Sequence, residues 1–183
     1  MSGLSPMMRH YLEIKEKYKD CVVFYRLGDF YEMFFEDAKE VSQLLDLTLT
    51  GRDCGLEERA PMCGIPYHAA ETYIAKLVSL GKKVAICEQL TEPAPGRGMV
   101  ERDVIRVVSA GTLIEDSLLD ERTNNYIACA CQDGDACALA WADITTGEFN
   151  VGSFRGEGNV GASMEYFGKL SPAEIICQAE FLF

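Results

Sequence analysis

The chain has 183 residues, 48% hydrophobic and 25% charged, which is a globular composition and excludes an intrinsically disordered chain. Its 17 Lys+Arg against 29 Asp+Glu leave a formal charge of −12, so no general basic bias speaks for nucleic acid, and any such role must rest on local features. No apolar run approaches the ~18 residues that span a bilayer, and the charged N-terminus lacks a signal-peptide core, so the expectation is a cytoplasmic protein without a membrane segment.

Ser5 fits a helix N-cap and Pro6 the first helical position; Met7, Tyr11, Ile14 and Tyr18 then recur at helical spacing, and Asp20 ends the helix. Residues 21–27 are dense in β-branched and aromatic types and read as a buried strand. Gly28-Asp29 is a turn and 30–34 a second strand, so 21–34 is a predicted hairpin. Asp37 with Glu40 three residues on suits a capping box for the next helix, whose buried stripe is Ala38, Val41, Leu44 and Leu45. Residues 47–50 alternate as a strand.

Residues 51–67, with Gly51, Gly55, Pro61, Gly64 and Pro66, read as one long loop, a length that in a compact domain is usually functional or mobile. A helix over about 69–80 buries Tyr73, Ile74, Leu77 and Val78 and ends at Gly81. Strands are expected over 84–90 and 104–108, a Gly/Pro loop over 91–103, and a helix or turn over 112–122. From about 123 the pattern becomes a meander, with strands over 126–131, 138–144 and 148–154 joined at Asp133-Gly134 and Thr146-Gly147. A helix over 160–169 and a strand over 174–177 follow, which reads as one complete α/β domain and the truncated beginning of a second.

Several chemistries lack their residues. Gly81-Lys82 is followed by Lys83 and has no glycine at position 76, so there is no phosphate-binding loop of the nucleoside-triphosphate type. With only His10 and His68, a histidine triad or cluster is hard to build. The eight cysteines form no CxxC pair and read as free, buried thiols of a reducing compartment; Cys129 and Cys131 can share a strand face without making a zinc site. Asp143 and Glu148, across a predicted turn, are the only carboxylates that suggest a metal-dependent nuclease, and no second acid cluster joins them. His68, at a loop-to-helix junction, suits either a helix cap or a DNA-backbone contact.

The most informative stretch is 28–34. Strand alternation puts Phe30 and Glu32 on one face and Tyr31 and Met33 on the other, an apolar wedge beside a carboxylate directly after a tight turn. Composition alone also allows Phe30 as core and Glu32 as solvated edge.

Gly28-Asp29-Phe30-Tyr31-Glu32-Met33-Phe34, preceded by Val23-Phe24-Tyr25-Arg26, resembles the mismatch-reading signature of bacterial MutS DNA mismatch repair proteins. The resemblance continues in order through Ser5-Pro6-Met7-Met8, Asp37-Ala38, Leu47-Thr48-Leu49-Thr50, Met62-Cys63-Gly64-Ile65-Pro66-Tyr67-His68, Val84-Ala85-Ile86-Cys87-Glu88-Gln89, Val108-Ser109-Ala110-Gly111-Thr112 and Ala142-Asp143-Ile144-Thr145-Thr146-Gly147-Glu148-Phe149, nearly the whole chain. It implies a mixed β-sheet flanked by helices over 1–115, the mismatch-recognition domain, a linker over 116–124, and over 125–183 part of an RNase H-like α/β connector domain. It further implies binding of mismatched double-stranded DNA in mismatch repair by a segment that is not itself an enzyme and holds no cofactor or metal. The implied parent is a homodimeric, DNA-dependent ATPase of the cytoplasm and nucleoid, with ATP and Mg in a region absent here. The connector would meet a downstream MutL-like repair protein.

The family's Phe-x-Glu falls on Phe30 and Glu32, and the resemblance places supporting contacts at Arg52, Met62, Tyr67 and His68. Phe30 would enter the minor groove and stack on a mispaired base, while Glu32, protonated opposite a purine N7, would hydrogen-bond it. Arg26, Arg97, Arg102 and Arg106 are candidate phosphate partners. Two other classes stay open: the carboxylate-dependent nuclease, and a protein-interaction module whose docking surface is the acidic stretch 124–183, with 2 basic and 8 acidic residues.

Overall fold

The structure is a computed structural model that describes residues 3–91, 100–114 and 123–178. The chain divides into two compact units, Met1–Val108 and Ser109–Phe183. Both are α/β: a mixed sheet with flanking helices, then a four-stranded sheet with one helix. Residues 115–122, most of the expected linker, and the centre of the 91–103 loop with Arg97 lie outside the described residues.

In the first unit, helix α1 (Pro6–Lys17) starts as its sequence dictates, with the Ser5 hydroxyl accepting from the Met8 N–H and Pro6 at the first position. Strands β1 (Cys21–Leu27) and β2 (Phe30–Phe34) form the expected hairpin, registered Tyr25↔Glu32, Arg26↔Tyr31 and Leu27↔Phe30, and Gly28 takes a left-handed φ of 59° in the turn. Helix α2 (Phe35–Leu45), strands β3 (Thr50–Arg52) and β4 (Ala60–Pro66), helix α3 (Ala70–Ser79) and strands β5 (Lys83–Gln89) and β6 (Arg102–Val108) complete it. The sheet order is β3-β4-β2-β1-β5-β6, with β1 and β5 parallel and every other neighbouring pair antiparallel.

Strand β1 is buried on both faces from Cys21 to Tyr25, as a sheet covered on two sides requires. Met8, Tyr11 and Ile14 of α1 pack on Val23, Tyr25, Phe34, Ala85 and Cys87. Tyr11 meets Tyr25 and Phe34 edge-on, at 5.7 and 5.0 Å between ring centroids. Helix α2 covers the other face, where the Cys63 thiol donates to the Ala38 carbonyl.

Three local expectations are corrected. Asp37 does not cap α2. The chain turns from β2 directly into the helix through Phe34, an N-cap without a side-chain bond, and Phe35, at a left-handed φ of 52°. Asp37 instead lies 5% exposed in the interior and accepts from the Val23 N–H at 3.0 Å and the Tyr11 hydroxyl at 3.0 Å, with the Lys15 ammonium at 2.8 Å. The β1–β2 register stops at Tyr25, and the carboxylate supplies the acceptor that the Val23 N–H lacks on that edge. Burial, then the Asp37 charge, pushes the Tyr11 phenol well up, so it remains a donor.

The strand expected at 47–50 forms only from Thr50, because Leu47 to Leu49 lie outside the pairing. The 51–67 stretch is not one loop: β4 lies inside it, paired with β2 on one side and β3 on the other.

In the second unit, β7 (Tyr126–Asp133), β8 (Ala136–Asp143) and β9 (Glu148–Arg155) make the expected meander, and β10 (Glu174–Cys177) adds parallel to β7. Helix α4 (Asn159–Leu170) covers one face through Phe167, over Ala128, Ala130, Cys137 and Leu139. The cysteines are all free, but Cys129, Cys131 and Cys177 are exposed rather than buried. Strand alternation sets the first two on the face away from Ala128 and Ala130.

Asp37→Ala should lower the unfolding free energy of the chain by about 3 kcal/mol, since it strands the Val23 N–H and leaves Lys15 without its counter-charge. Urea unfolding reads this as a lower midpoint at unchanged slope; an unchanged midpoint would show that Asp37 holds nothing together.

Candidate nucleic-acid interface

Exposure rises along one face of β2. Phe34 is fully buried under α1, the Glu32 side chain is 13% exposed, and Phe30 at the head of the strand is 47% exposed. Tyr31 and Met33, on the opposite face, are buried. Phe30 is therefore the member of the row that leaves the core.

The tip carrying Phe30 is held from several sides. The Gly28 N–H donates to Gln89 Oε1 at 3.1 Å, Arg26 Nε donates to the Gly28 carbonyl at 2.5 Å, and the Tyr67 N–H donates to the Asp29 carbonyl at 2.9 Å. Phe30 itself sits between Leu27 of β1 and Pro66 of β4. Beneath the tip, Arg26 pairs with Glu88 at 3.2 Å, and the Tyr31 hydroxyl donates to the same carboxylate. Burial, then this hydrogen bond, pushes the Tyr31 phenol up, so it stays protonated. The Arg26 guanidinium also lies over the Tyr67 ring, 3.7 Å from its centroid.

Beside Phe30 a shallow groove is lined by Glu32, Thr48, Thr50, Met62 and Gly64. Glu32 is ion-paired with Arg52 of β3 across the intervening β4. Gly64 stands opposite Glu32 in that strand, and a Cβ there would lie 3.5 Å from Glu32 Cγ, an ordinary contact distance. Gly64 was not among the candidates, although a glycine inside a strand is the signal that marks such an approach.

The expected supporting residues separate. Met62 lines the groove with Phe30 and Glu32, and Arg52 joins them through its ion pair with Glu32. Tyr67 and His68 are exposed just past β4, their rings edge-on at 5.8 Å. Arg102 is corrected: it is 9% exposed and donates to the carbonyls of Arg26 at 2.8 Å and Val100 at 2.9 Å, so it is an internal brace rather than a phosphate ligand. Arg26, with its guanidinium on Glu88, Gly28 and Tyr67, is likewise part of the frame.

Among the described residues, the carboxylates of the second unit do not gather into a metal-holding cluster. Asp143 is 1% exposed and accepts from the N–H groups of Asn125, Thr145 and Thr146 and from the Thr145 hydroxyl. Burial raises its pKa, but the Thr145 hydroxyl and these backbone donors outweigh burial and hold the carboxyl below its ordinary range. Glu148 accepts from Asn124, Tyr126 and Asn150. Among the described residues, no group of three or more His, Cys, Asp or Glu could hold a metal ion, and no helix is long and apolar enough to cross a membrane.

Comparison with known proteins also gives two parts, but it assigns residues 109–117 to the first. The family described as MutS domain I matches residues 5–117, and MutS domain II matches 125–182. The chain is similar to a protein of Acetivibrio thermocellus named DNA mismatch repair protein MutS, 53% identical over 181 residues, which is 99% of this chain and 21% of the relative. A protein of the same name from Clostridium botulinum strain Hall is 56% identical over 176 residues, 96% of this chain and 19% of the relative. The chain thus spans about a fifth of the length of the curated relatives it matches.

Because the folded Asp143 carboxyl titrates below its unfolded value, its contribution is present above the ordinary carboxylate range and is lost as pH falls through the lowered value. Asp143→Ala should therefore unfold at lower urea than wild type at pH 7, with the gap closing toward acid. Trp141, the one tryptophan, reports this transition by fluorescence from the same strand. A gap that stays constant with pH would remove the charge from the explanation.

Proposed function

The chain belongs to the MutS family, and from that premise we propose that it reads mispaired double-stranded DNA, with Phe30 as the wedge and Glu32 as the hydrogen-bonding carboxylate. The observation that carries the reading is the 47% exposed phenyl ring at the head of a strand whose other members are buried or ion-paired. A mispaired step is easier to unstack and bend than a matched one. An aromatic wedge entering the minor groove spends a few kcal/mol on unstacking and kinks the duplex, and the mismatch lowers that cost. Stacking contributes ~1–3 kcal/mol per base and ignores base identity, which suits a reader of many mismatches.

Glu32 discriminates by penalty. Protonated against a purine N7, it donates a hydrogen bond; left ionised against a stiff matched duplex, it is repelled by the phosphates. With a net charge of −12, this part supplies little counterion-release affinity, which must come from elsewhere in a full-length protein. We assign ATP and Mg binding, homodimerisation and a DNA-dependent ATPase activity to those other regions. The second unit, matched by MutS domain II, would contact a downstream MutL-like repair partner.

Equilibrium binding of the full-length protein to a G·T duplex and its matched control tests this. Phe30→Ala should lose about tenfold or more of the preference for G·T, the size of one stacked base. If the preference survives, Phe30 is not the reader and the 51–68 segment must be. Glu32→Gln should keep G·T affinity and tighten binding to the matched duplex; a variant that discriminates like wild type would remove the ionised carboxylate from the mechanism.

A further inference from the structure

Arg52 was expected as one of several supporting contacts to DNA, yet its single bonded partner among the described residues is Glu32. The contact is one-pronged, Nη1 to Oε2. It leaves Glu32 Oε1 and the other guanidinium N–H groups without a hydrogen bond among the described residues. The two side chains come from strands that are not neighbours, β2 and β3, and meet across β4, where Gly64 offers no side chain to part them. Arg26 and Arg102 are committed to the frame beneath the tip. Arg52 is thus the guanidinium bonded to the carboxylate that stands beside Phe30.

A carboxylate on a flexible side chain reads a base edge only if it is held in one place. The ion pair meets that need by fixing one carboxylate oxygen. We propose that Arg52 is the positioning residue of the reader: by holding Oε2 of Glu32 it leaves Oε1 to the duplex, and so sets how well mispaired DNA is told from matched. This rests on the reading of Phe30 and Glu32 given above.

The test separates this role from a simple phosphate contact, which weakens binding to every duplex equally. The full-length protein is measured as wild type, Arg52→Gln, Arg52→Lys, Glu32→Gln and the double variant Arg52→Gln/Glu32→Gln, against a G·T duplex and its matched control over a salt series. Arg52→Gln should lower the G·T-to-matched affinity ratio by about tenfold, a coupling of the size that touching residues show, and Arg52→Lys should restore part of it. In the Glu32→Gln background Arg52→Gln should change the ratio no further. Equal weakening of both duplexes at unchanged ratio, with the salt slope lower by about one, would overturn the proposal and leave Arg52 as a phosphate ligand. Equal effects of Arg52→Gln in both backgrounds would overturn it as well. If Phe30→Ala and Glu32→Gln themselves keep the wild-type ratio, the base-reading assignment fails; if they lose it while Arg52→Gln keeps it, only the role of Arg52 fails.

Discussion

The first unit depends on one buried carboxylate. Asp37 sits where α1, β1 and α2 converge and bonds to a member of each of the first two: Lys15 and Tyr11 from the helix, and the Val23 N–H from the strand. A charge in the interior is tolerated only when its partners surround it, and these do. By fixing the first turn of α2 against β1, the carboxylate also fixes where β2 must end. The left-handed Phe35 that joins β2 to α2 is the local strain this abrupt turn requires.

From that fixed end, β2 runs outward toward the turn, and its other end is fixed too. Gln89 and Arg26 hold Gly28, the Tyr67 N–H holds Asp29, and the Arg26–Glu88–Tyr31 contacts brace the underside. A short strand secured at both ends leaves the exposed ring at its head little freedom. A wedge must push bases apart rather than fold back, so this rigidity is what the proposed function requires of Phe30. The groove beside it is lined by Gly64 and by Glu32, whose carboxylate is paired with Arg52.

The second unit uses its acids differently. Asp143 closes the β8–β9 hairpin by collecting donors from Asn125, Thr145 and Thr146, and Glu174 joins the Ser109–Thr112 segment to β10 through the Ser109 hydroxyl and the Gly111 N–H. Carboxylates so engaged shape the chain. Among the described residues no group of three or more His, Cys, Asp or Glu could hold a metal ion, and the pair Asp143 and Glu148 looks suggestive in one dimension and is structural in three.

What the sequence determined by itself was everything governed by neighbours a few residues apart. Ser5-Pro6 starts α1, Gly28-Asp29 turns the hairpin, Gly81 ends the helix that covers β5, the Gly134 and Gly147 turns punctuate the meander, and alternation sets Phe30 with Glu32. Alternation put Phe30 and Glu32 on one face, but their role as a reading pair came only from what the family resemblance implies. Only the tertiary structure decided the rest. Pro61, Gly64 and Pro66 make β4 read as loop, and it becomes a strand because β2 and β3 pair with it on both sides. Leu47 to Leu49 alternate like a strand yet pair with no strand among the described residues. Asp37 followed by Glu40 looks like a helix cap until Val23 and Tyr11, distant in sequence, claim its oxygens. Arg52 reaches Glu32 from 20 residues away and across an intervening strand. Local propensity is set by a residue's own backbone and its nearest turns, whereas a carboxylate's partner is set by which strands lie side by side, and strand order emerges only when the whole chain is packed.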